Sequence, residues 1–271
     1  MRTFKLTLAY DGTDFLGWQW QPKKRTVQNE LQEALARITG EQTKCAASGR
    51  TDTGVHALGQ VVSFWSGTYL SPAELTKALR AELPEDMFAF EVLEVPASFH
   101  AQIHALRKRY RYVIEDGRMR DLFDRKYVWP IKTRLDVEAM QQAAVTLVGT
   151  HDFASFQSTG SRRLESTRTI YDLLVERREV ELTDRVIIEV EANGFLYNMV
   201  RNIAGTLVAV GKGKQPVGWV AEALAARDRR AAGMTAPPQG LFLVGVEYGE
   251  IWDCGFGNLD SACNDEELPL A

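Results

Sequence analysis

A chain of 271 residues, 45% of them hydrophobic and 10% aromatic, has room for two ordinary domains and can bury a large core, which excludes a disordered protein. The net charge of −4 is accounted for by the acidic segment 259–271, which contains no Lys or Arg, so the rest of the chain is neutral overall. Three cysteines without a CxxC pair, no signal-peptide core and no apolar run near the ~20 residues of a membrane span exclude a disulfide-framed secreted protein and a membrane protein, and predict a cytoplasmic one.

The first half of the chain predicts a strand, a helix, two strands, a helix and a strand. Thr26 is a good N-cap for the first helix, and Gly40 ends it. Ser71 and Glu74 form a capping box at the start of the second helix. The predicted elements are a strand at 3–10, a helix between Thr26 and Gly40, strands near 43–48 and 57–65, a helix from about 72, and a strand near 87–95.

The second half repeats this order of elements without repeating the sequence. Its strand near 185–192 alternates cleanly between apolar and polar residues. The predicted elements are a strand at about 102–115, a helix at 136–148, strands at 167–178 and 185–192, helices at 196–210 and 217–226, and a last strand at 241–246.

Two strand–helix–strand–strand–helix–strand units predict an α+β fold made of two ferredoxin-like halves. We expect their sheets to join into one antiparallel platform with helices on one face and an open ligand cleft. The predicted division is 1–97 for the N-terminal half, 98–250 for the C-terminal half, and 251–271 for an acidic, flexible tail.

The most informative motif lies in the first half, at residues 49–57, which read GRTDTGVHA. Asp52 stands between two glycines, beside Arg50 and two threonines. Glycines permit tight turns and close approach to a ligand, so the pattern predicts a carboxylate at the tip of a turn, where it can act as a nucleophile. The plain alternative is a hairpin turn with ordinary polar residues.

A basic and aromatic strand follows at 107–112, which reads RKRYRY. Tyr110 and Tyr112 share one face of this strand, while Arg109 and Arg111 share the other. Rings that stack on bases and cations that meet phosphates suit RNA. The alternative is a half-buried strand with its tyrosines in the core. The other basic clusters are Lys23-Lys24-Arg25, Arg162-Arg163, and Arg227 with Arg229-Arg230.

Arg201 lies in an otherwise apolar helical stretch. An unpaired buried guanidinium is costly, so Arg201 needs an anion, and Asp52 is the predicted partner. The alternative is a surface arginine on an amphipathic helix. The four histidines show no metal-ligand spacing, and neither a P-loop nor a GxGxxG motif is present, so we expect no metal or nucleotide cofactor.

These residues carry a specific resemblance. The 49–57 motif resembles the nucleophile motif of the tRNA pseudouridine synthase A (TruA) family, and five further blocks follow the family order over about residues 3 to 247. This chain has Thr53 where the family usually has Ala. The other blocks are Tyr10-Asp11-Gly12 through Gly17-Trp18-Gln19, Phe99-His100-Ala101, His151-Asp152-Phe153, Met199-Val200-Arg201-Asn202 and Pro238-Gln239-Gly240-Leu241.

The resemblance implies an isomerase that converts uridine to pseudouridine at positions 38, 39 and 40 of the tRNA anticodon stem-loop. It implies that Asp52 is the catalytic aspartate and Arg201 its partner. It further implies that Tyr110 stacks on the target uracil and that Arg50 enters the RNA to hold the nucleotide flipped out. The family members use no cofactor and are homodimers that bind tRNA across both subunits.

Two other functions are compatible with parts of the pattern. A non-catalytic RNA-binding module would explain the basic and aromatic strand, but not a glycine-framed Asp52 predicted to face Arg201. A carboxylate-based hydrolase usually needs a second acid or a metal cluster, and the sequence offers neither.

Overall fold

A computed structural model describes residues 1–118, 120–159, 165–180 and 183–249. Within these ranges the strands are β1 (Arg2–Tyr10), β2 (Cys45–Ala47), β3 (His56–Ser66), β4 (Met87–Val95), β5 (Ala105–Asp116), β6 (Trp129–Ile131), β7 (Gly149–Asp152), β8 (Thr167–Arg178), β9 (Arg185–Ala192) and β10 (Leu241–Tyr248). The α-helices are α1 (Val27–Thr39), α2 (Pro72–Glu82), α3 (Val137–Ala144), α4 (Met199–Gly211) and α5 (Trp219–Ala226). No described helix is long and apolar enough to cross a membrane.

Each half has the strand order of a ferredoxin-like unit. In the first half, β1 lies between β4 and β3, and β2 pairs with β3, all antiparallel. In the second half, β5 lies between β10 and β9, and β8 pairs with β9, again antiparallel. The short strand β7 extends the sheet beyond β8. The predicted α+β fold is therefore confirmed, with β6 and β7 as additions.

The two halves meet along a short parallel seam between β3 and β10. Only His56 opposite Phe242 and Ala57 opposite Leu243 pair there. Farther along, the same edge of β3 is occupied by β2, which pairs at Val62 to Phe64, so β10 has only the beginning of β3 to bind. The expected antiparallel pairing holds among the four ferredoxin-like strands of each half, but β6 pairs with β5 in parallel and the joined sheet is mixed.

The helices pack on one face of this sheet because their apolar stripes need cover. Leu31 and Leu35 of α1 belong to the same buried core as Phe4 and Leu6 of β1, which alternate toward that face. Residues of α2, α3, α4 and α5 join this core. A smaller apolar cluster lies apart from it, around Tyr248 and Phe99.

Local signals set the ends of α1 and the start of α2 as predicted, whereas α3 ends at Ala144 and not at 148, and α4 and α5 begin later than predicted. Thr26 caps α1, Gly40 ends it with φ of 73°, and the Ser71 capping box is present. Helix α4 begins at Met199 and not at 196, because Asn198 has a left-handed backbone with φ of 60°. The Arg162-Arg163 cluster and the 251–271 tail lie outside the described residues.

Candidate active site

A cleft of about 1320 Å³ lies between the two halves and contains all four residues predicted for the site. Arg50 and Asp52 come from the loop that precedes β3. Tyr110 comes from β5 and Arg201 from α4, both in the second half. The site thus depends on both units of the fold.

Two glycines allow the 12–18 turn to pack against the Asp52 loop. A Cβ on Gly12 would lie 2.0 Å from the carbonyl oxygen of Val55. Gly17 has φ of 82°, and a Cβ there would lie 2.8 Å from the carbonyl oxygen of Thr51. The same Thr51 carbonyl accepts a hydrogen bond of 3.0 Å from Trp18 N. The loop is therefore held at a separation that only glycine permits.

A buried network of polar side chains contacts the Asp52 loop on the side of the sheet. The Tyr10 hydroxyl and Thr51 Oγ1 are hydrogen-bonded at 2.8 Å, and burial raises the pKa of Tyr10 to about 12, which keeps the phenol neutral. Gln60 Nε2 donates to the carbonyl of Gly49 at 2.9 Å, and Ser48 Oγ donates to Gln60 Oε1 at 2.7 Å. Sequence analysis missed this network, since a polar residue in a strand gives no sign of what it will contact.

Asp52 and Arg201 form the predicted ion pair. Arg201 Nη1 lies 3.4 Å from Asp52 Oδ2. The Asp52 side chain is 33% exposed, so it is reachable from the cleft yet partly removed from water. Burial raises the pKa of Asp52, and the charge and hydrogen bond of Arg201 oppose that rise. The arginine therefore favours the ionised carboxylate that a nucleophile or base requires.

Arg201 is fixed by two further acceptors. Its Nε donates to the carbonyl of Ala236 at 2.7 Å, and its Nη1 donates to Asn198 Oδ1 at 2.9 Å. Only 16% of the side chain is exposed, so the surface-arginine alternative is wrong. Asn198, just before α4, holds the guanidinium and was not singled out from the sequence. Its backbone is left-handed, which is uncommon for a residue other than glycine and is seen only in the structure.

Tyr110 forms part of the cleft wall. The residue is 8% exposed, and its ring meets Phe195 edge-on with centroids 5.0 Å apart. Burial raises its pKa, so the phenol stays neutral. Tyr112 is fully buried, and its hydroxyl donates to the carbonyl of Pro237 at 2.7 Å. Of the two tyrosines, Tyr112 is a core residue and Tyr110 borders the cleft.

The arginines of β5 do not present free charge to the cleft. Arg109 pairs with Glu191 at 3.0 Å, and Arg111 pairs with Glu189 at 2.6 Å, because β9 lies beside β5 with its acidic residues in register. The expectation that these two cations would be open to phosphates is therefore corrected. Arg50, in contrast, is exposed at the cleft and has no ion pair within the described part of the chain.

Among the described residues, no group of three His, Cys, Asp or Glu side chains could hold a metal ion.

His56 joins the two halves. Its ring stacks on Phe242 with centroids 4.7 Å apart, its Nδ1 accepts from Gly12 N at 3.0 Å, and its Nε2 lies 3.1 Å from the carbonyl oxygen of Gln239. Burial lowers the pKa of His56, so a neutral ring suits this position.

Comparison with known proteins identifies a family with which this chain shares its sequence. A family model described as "tRNA pseudouridine synthase" matches residues 7–102 and 143–249. A tRNA pseudouridine synthase A of Thermoanaerobacter sp. (strain X514) is 45% identical over 92% of this chain and 100% of its own. One of Halalkalibacterium halodurans is 47% identical over 89% of this chain and 90% of its own.

Solved structures add only weak similarity. The crystal structure of the archaeal box H/ACA sRNP Nop10-Cbf5 complex matches over 76% of this chain and 44% of that chain. The sequence identity is 14% and the TM-score is 0.31.

Proposed function

We propose, because this chain belongs to the tRNA pseudouridine synthase family, that it isomerises uridine to pseudouridine at positions 38, 39 and 40 of the tRNA anticodon stem-loop. The observation that supports this most directly is the ion pair between Asp52 and Arg201 in the cleft between the halves. It supplies a partly exposed carboxylate whose ionised form is favoured by a fixed cation.

The reaction needs a carboxylate and no external reactant. The N1–C1′ glycosidic bond breaks, the detached uracil turns, and a bond from C5 to C1′ replaces it, while the proton on C5 is exchanged for one on N1. Asp52 serves by attack on C1′ or C6 or by removal of the 2′ proton. All atoms of the substrate remain in the product, so no redox partner or energy source is consumed.

The target base must leave its stack to reach Asp52. Arg50 is exposed and has no ion pair in the described structure, so it is free to enter the space that a flipped nucleotide vacates. Tyr110 borders the cleft near Asp52 and offers a neutral ring against which the uracil can stack. The cleft volume of about 1320 Å³ leaves room for one extruded nucleotide.

Three further properties are proposed from the family resemblance. The active form is a homodimer that binds tRNA across both subunits, the enzyme works in the cytoplasm, and it uses no metal or organic cofactor. The division into halves at residues 1–97 and 98–250 is likewise a proposal, which the repeated strand order supports.

The decisive experiment is tritium release from tRNA labelled at uracil C5. The parent chain should release tritium, and Asp52→Asn should fall below about one per cent of the parent rate, since loss of a nucleophile usually costs orders of magnitude. Asp14→Asn, an exposed aspartate outside the cleft lining, is the matched control and should retain full activity.

Binding of unlabelled tRNA by Asp52→Asn should stay within a few-fold of the parent. Activity of Asp52→Asn above about one per cent would remove Asp52 as the essential carboxylate. Tight tRNA binding by the parent without any tritium release would instead indicate a non-catalytic RNA-binding module.

A further inference from the structure

A second concavity of about 580 Å³ lies outside the catalytic cleft, between Trp20 and helix α1, with Gln42 on its far side. We call it the α1 groove. Half of its lining is amide side chains, among them Gln28, Asn29 and Gln32. Glu33 and Arg37 add one charge of each sign, and Arg37 is paired with Glu82 outside the groove. No step of the proposed catalysis uses it.

Trp20 is an unusual residue to leave in water. It is 52% exposed, and tryptophan carries the largest apolar ring system of any side chain. Its backbone is nevertheless fixed, because Trp20 N donates to Gln28 Oε1 at 2.8 Å. Gln28 is itself tied to the edge of β2, where its Nε2 donates to the carbonyl of Cys45 at 3.2 Å. The backbone that carries this exposed ring is thus fixed before any partner arrives.

One chain segment contributes to both the groove and the catalytic cleft. Residues 16–19 and Gln21 line the cleft, while Trp20, in the middle of the same segment, lines the groove. The Trp20 ring is therefore one residue along the chain from two residues that line the cleft, Gln19 and Gln21. A ligand that spans both is longer than one nucleotide.

Lysines adjoin the groove without lining it: the Lys24 carbonyl accepts from Asn29 at 2.9 Å, and Lys44 follows Thr43, whose carbonyl accepts from Gln32 at 2.8 Å. Lys23, Lys24 and Lys44 are exposed, and none of them has an ion pair within the described residues. The acidic residue in the groove, Glu33, offers an acceptor for an exocyclic amino group of a base. Side-chain amides supply both donors and acceptors, which match the edges of bases.

We propose that the α1 groove is a second RNA subsite, in which Trp20 stacks on a base of the bound tRNA other than the one that enters the cleft. The inference rests on the proposed function only in taking tRNA as the polyanion. Stacking of a base on an aromatic ring is sequence-tolerant, and the amides of the groove and the lysines that adjoin it hold the nucleotide that carries the base.

The test compares Trp20→Ala, Trp20→Phe and the parent in binding an unmodified tRNA transcript. Trp20→Ala should raise the Kd at least about fivefold, while Trp20→Phe should stay within about twofold because it keeps a ring. Tyr69→Ala is the matched control, since Tyr69 is fully exposed and lines neither the cleft nor the groove. It should bind like the parent.

Two readouts separate stacking from a structural effect. Stacking releases no counterions, so Trp20→Ala should leave the slope of log Kd against log salt unchanged. The single-turnover rate at saturating tRNA should also stay within about twofold of the parent. In fluorescence, tRNA should quench the parent more than Trp20→Phe, and the difference reports the indole at position 20.

Three results would overturn the subsite. The first is a Kd of Trp20→Ala equal to that of the parent. The second is a lower saturating rate at unchanged Kd. The third is altered sedimentation of the free chain, which would mark Trp20 as a contact between copies. Failure of the proposed function looks different. In that case the parent releases no tritium, whatever the Trp20 variants do to tRNA binding.

Discussion

Replacing Arg201 with lysine tests whether the site needs a planar fork or only a positive charge. Arg201 serves three acceptors at once: Asp52 Oδ2 at 3.4 Å, Asn198 Oδ1 at 2.9 Å and the Ala236 carbonyl at 2.7 Å. A lysine ammonium has a single nitrogen and cannot occupy the positions of both Nε and Nη1. At least one hydrogen bond from the cation is therefore lost.

The expected magnitude follows from that count. A hydrogen bond to a charged group is worth about 1.5–3 kcal/mol, which corresponds to about 10- to 150-fold in kcat/KM if the loss is felt fully in the transition state. Arg201→Gln removes the charge as well. Two unit charges 3.4 Å apart attract by ~1.2 kcal/mol even in a water-like dielectric, so Arg201→Gln should be about eightfold worse than Arg201→Lys.

The two variants should also differ in their pH profiles. The charge of Arg201 lowers the pKa of Asp52 against the effect of burial. Activity requires the carboxylate and is lost as pH falls through the Asp52 pKa. Without the arginine charge that pKa rises further, so the acidic limb of kcat/KM should move to higher pH in Arg201→Gln and stay in place in Arg201→Lys.

The assay is tritium release under kcat/KM conditions across a pH series. Arg177→Lys is the matched control, because Arg177 also serves several acceptors, the two oxygens of Asp116 at 2.6 and 2.9 Å and the Leu135 carbonyl at 3.0 Å, away from the cleft. It should lose stability and keep its turnover. A rate for Arg201→Lys within about threefold of the parent would show that the site needs only a positive charge and not the planar guanidinium.

Other consequences can be measured with the same material. Tyr110→Ala should lose about 1–3 kcal/mol of stacking and Tyr110→Phe much less, and equal single-turnover rates for both and the parent would make Tyr110 a core residue only. Binding of tRNA should weaken about tenfold or more between 50 and 200 mM salt, and a flat response would contradict phosphate contacts. Deleting 259–271 should leave affinity equal or modestly tighter, since the segment is acidic. Gly12→Ala should lower the free energy of unfolding in urea by about 1–3 kcal/mol or more, while Gly218→Ala, with open space at its Cβ, should be near neutral.

The order of elements was predictable because it depends on local signals. Such signals depend only on residues that are close in sequence, as for the alternation of β1, the Thr26 cap and the Ser71 capping box. The pairing of Arg201 with Asp52 was predictable for a different reason. A guanidinium in an apolar helix demands an anion, and the glycine motif offered the one carboxylate framed for chemistry.

Pairings between distant strands were not predictable from these signals. Arg109 and Arg111 lie opposite Glu191 and Glu189 only because β5 and β9 are neighbours in one particular register. Both strands alternate charge with apolar residues, but a single sequence does not say which strands meet. For the same reason, the sequence did not predict the hydrogen bonds that hold the Asp52 loop or the parallel pairing of β3 with β10.

The seam of two residue pairs between β3 and β10 bears on how such a site can originate. Doubling of one βαββαβ unit would produce two equivalent copies, yet here the carboxylate lies on one copy and its cation on the other. Neither copy alone holds the pair of Asp52 and Arg201, so catalysis requires that the two copies associate. Two fragments divided near residue 98 should accordingly be inactive when separate and should gain activity when they are mixed and associate, as in other enzymes that show fragment complementation.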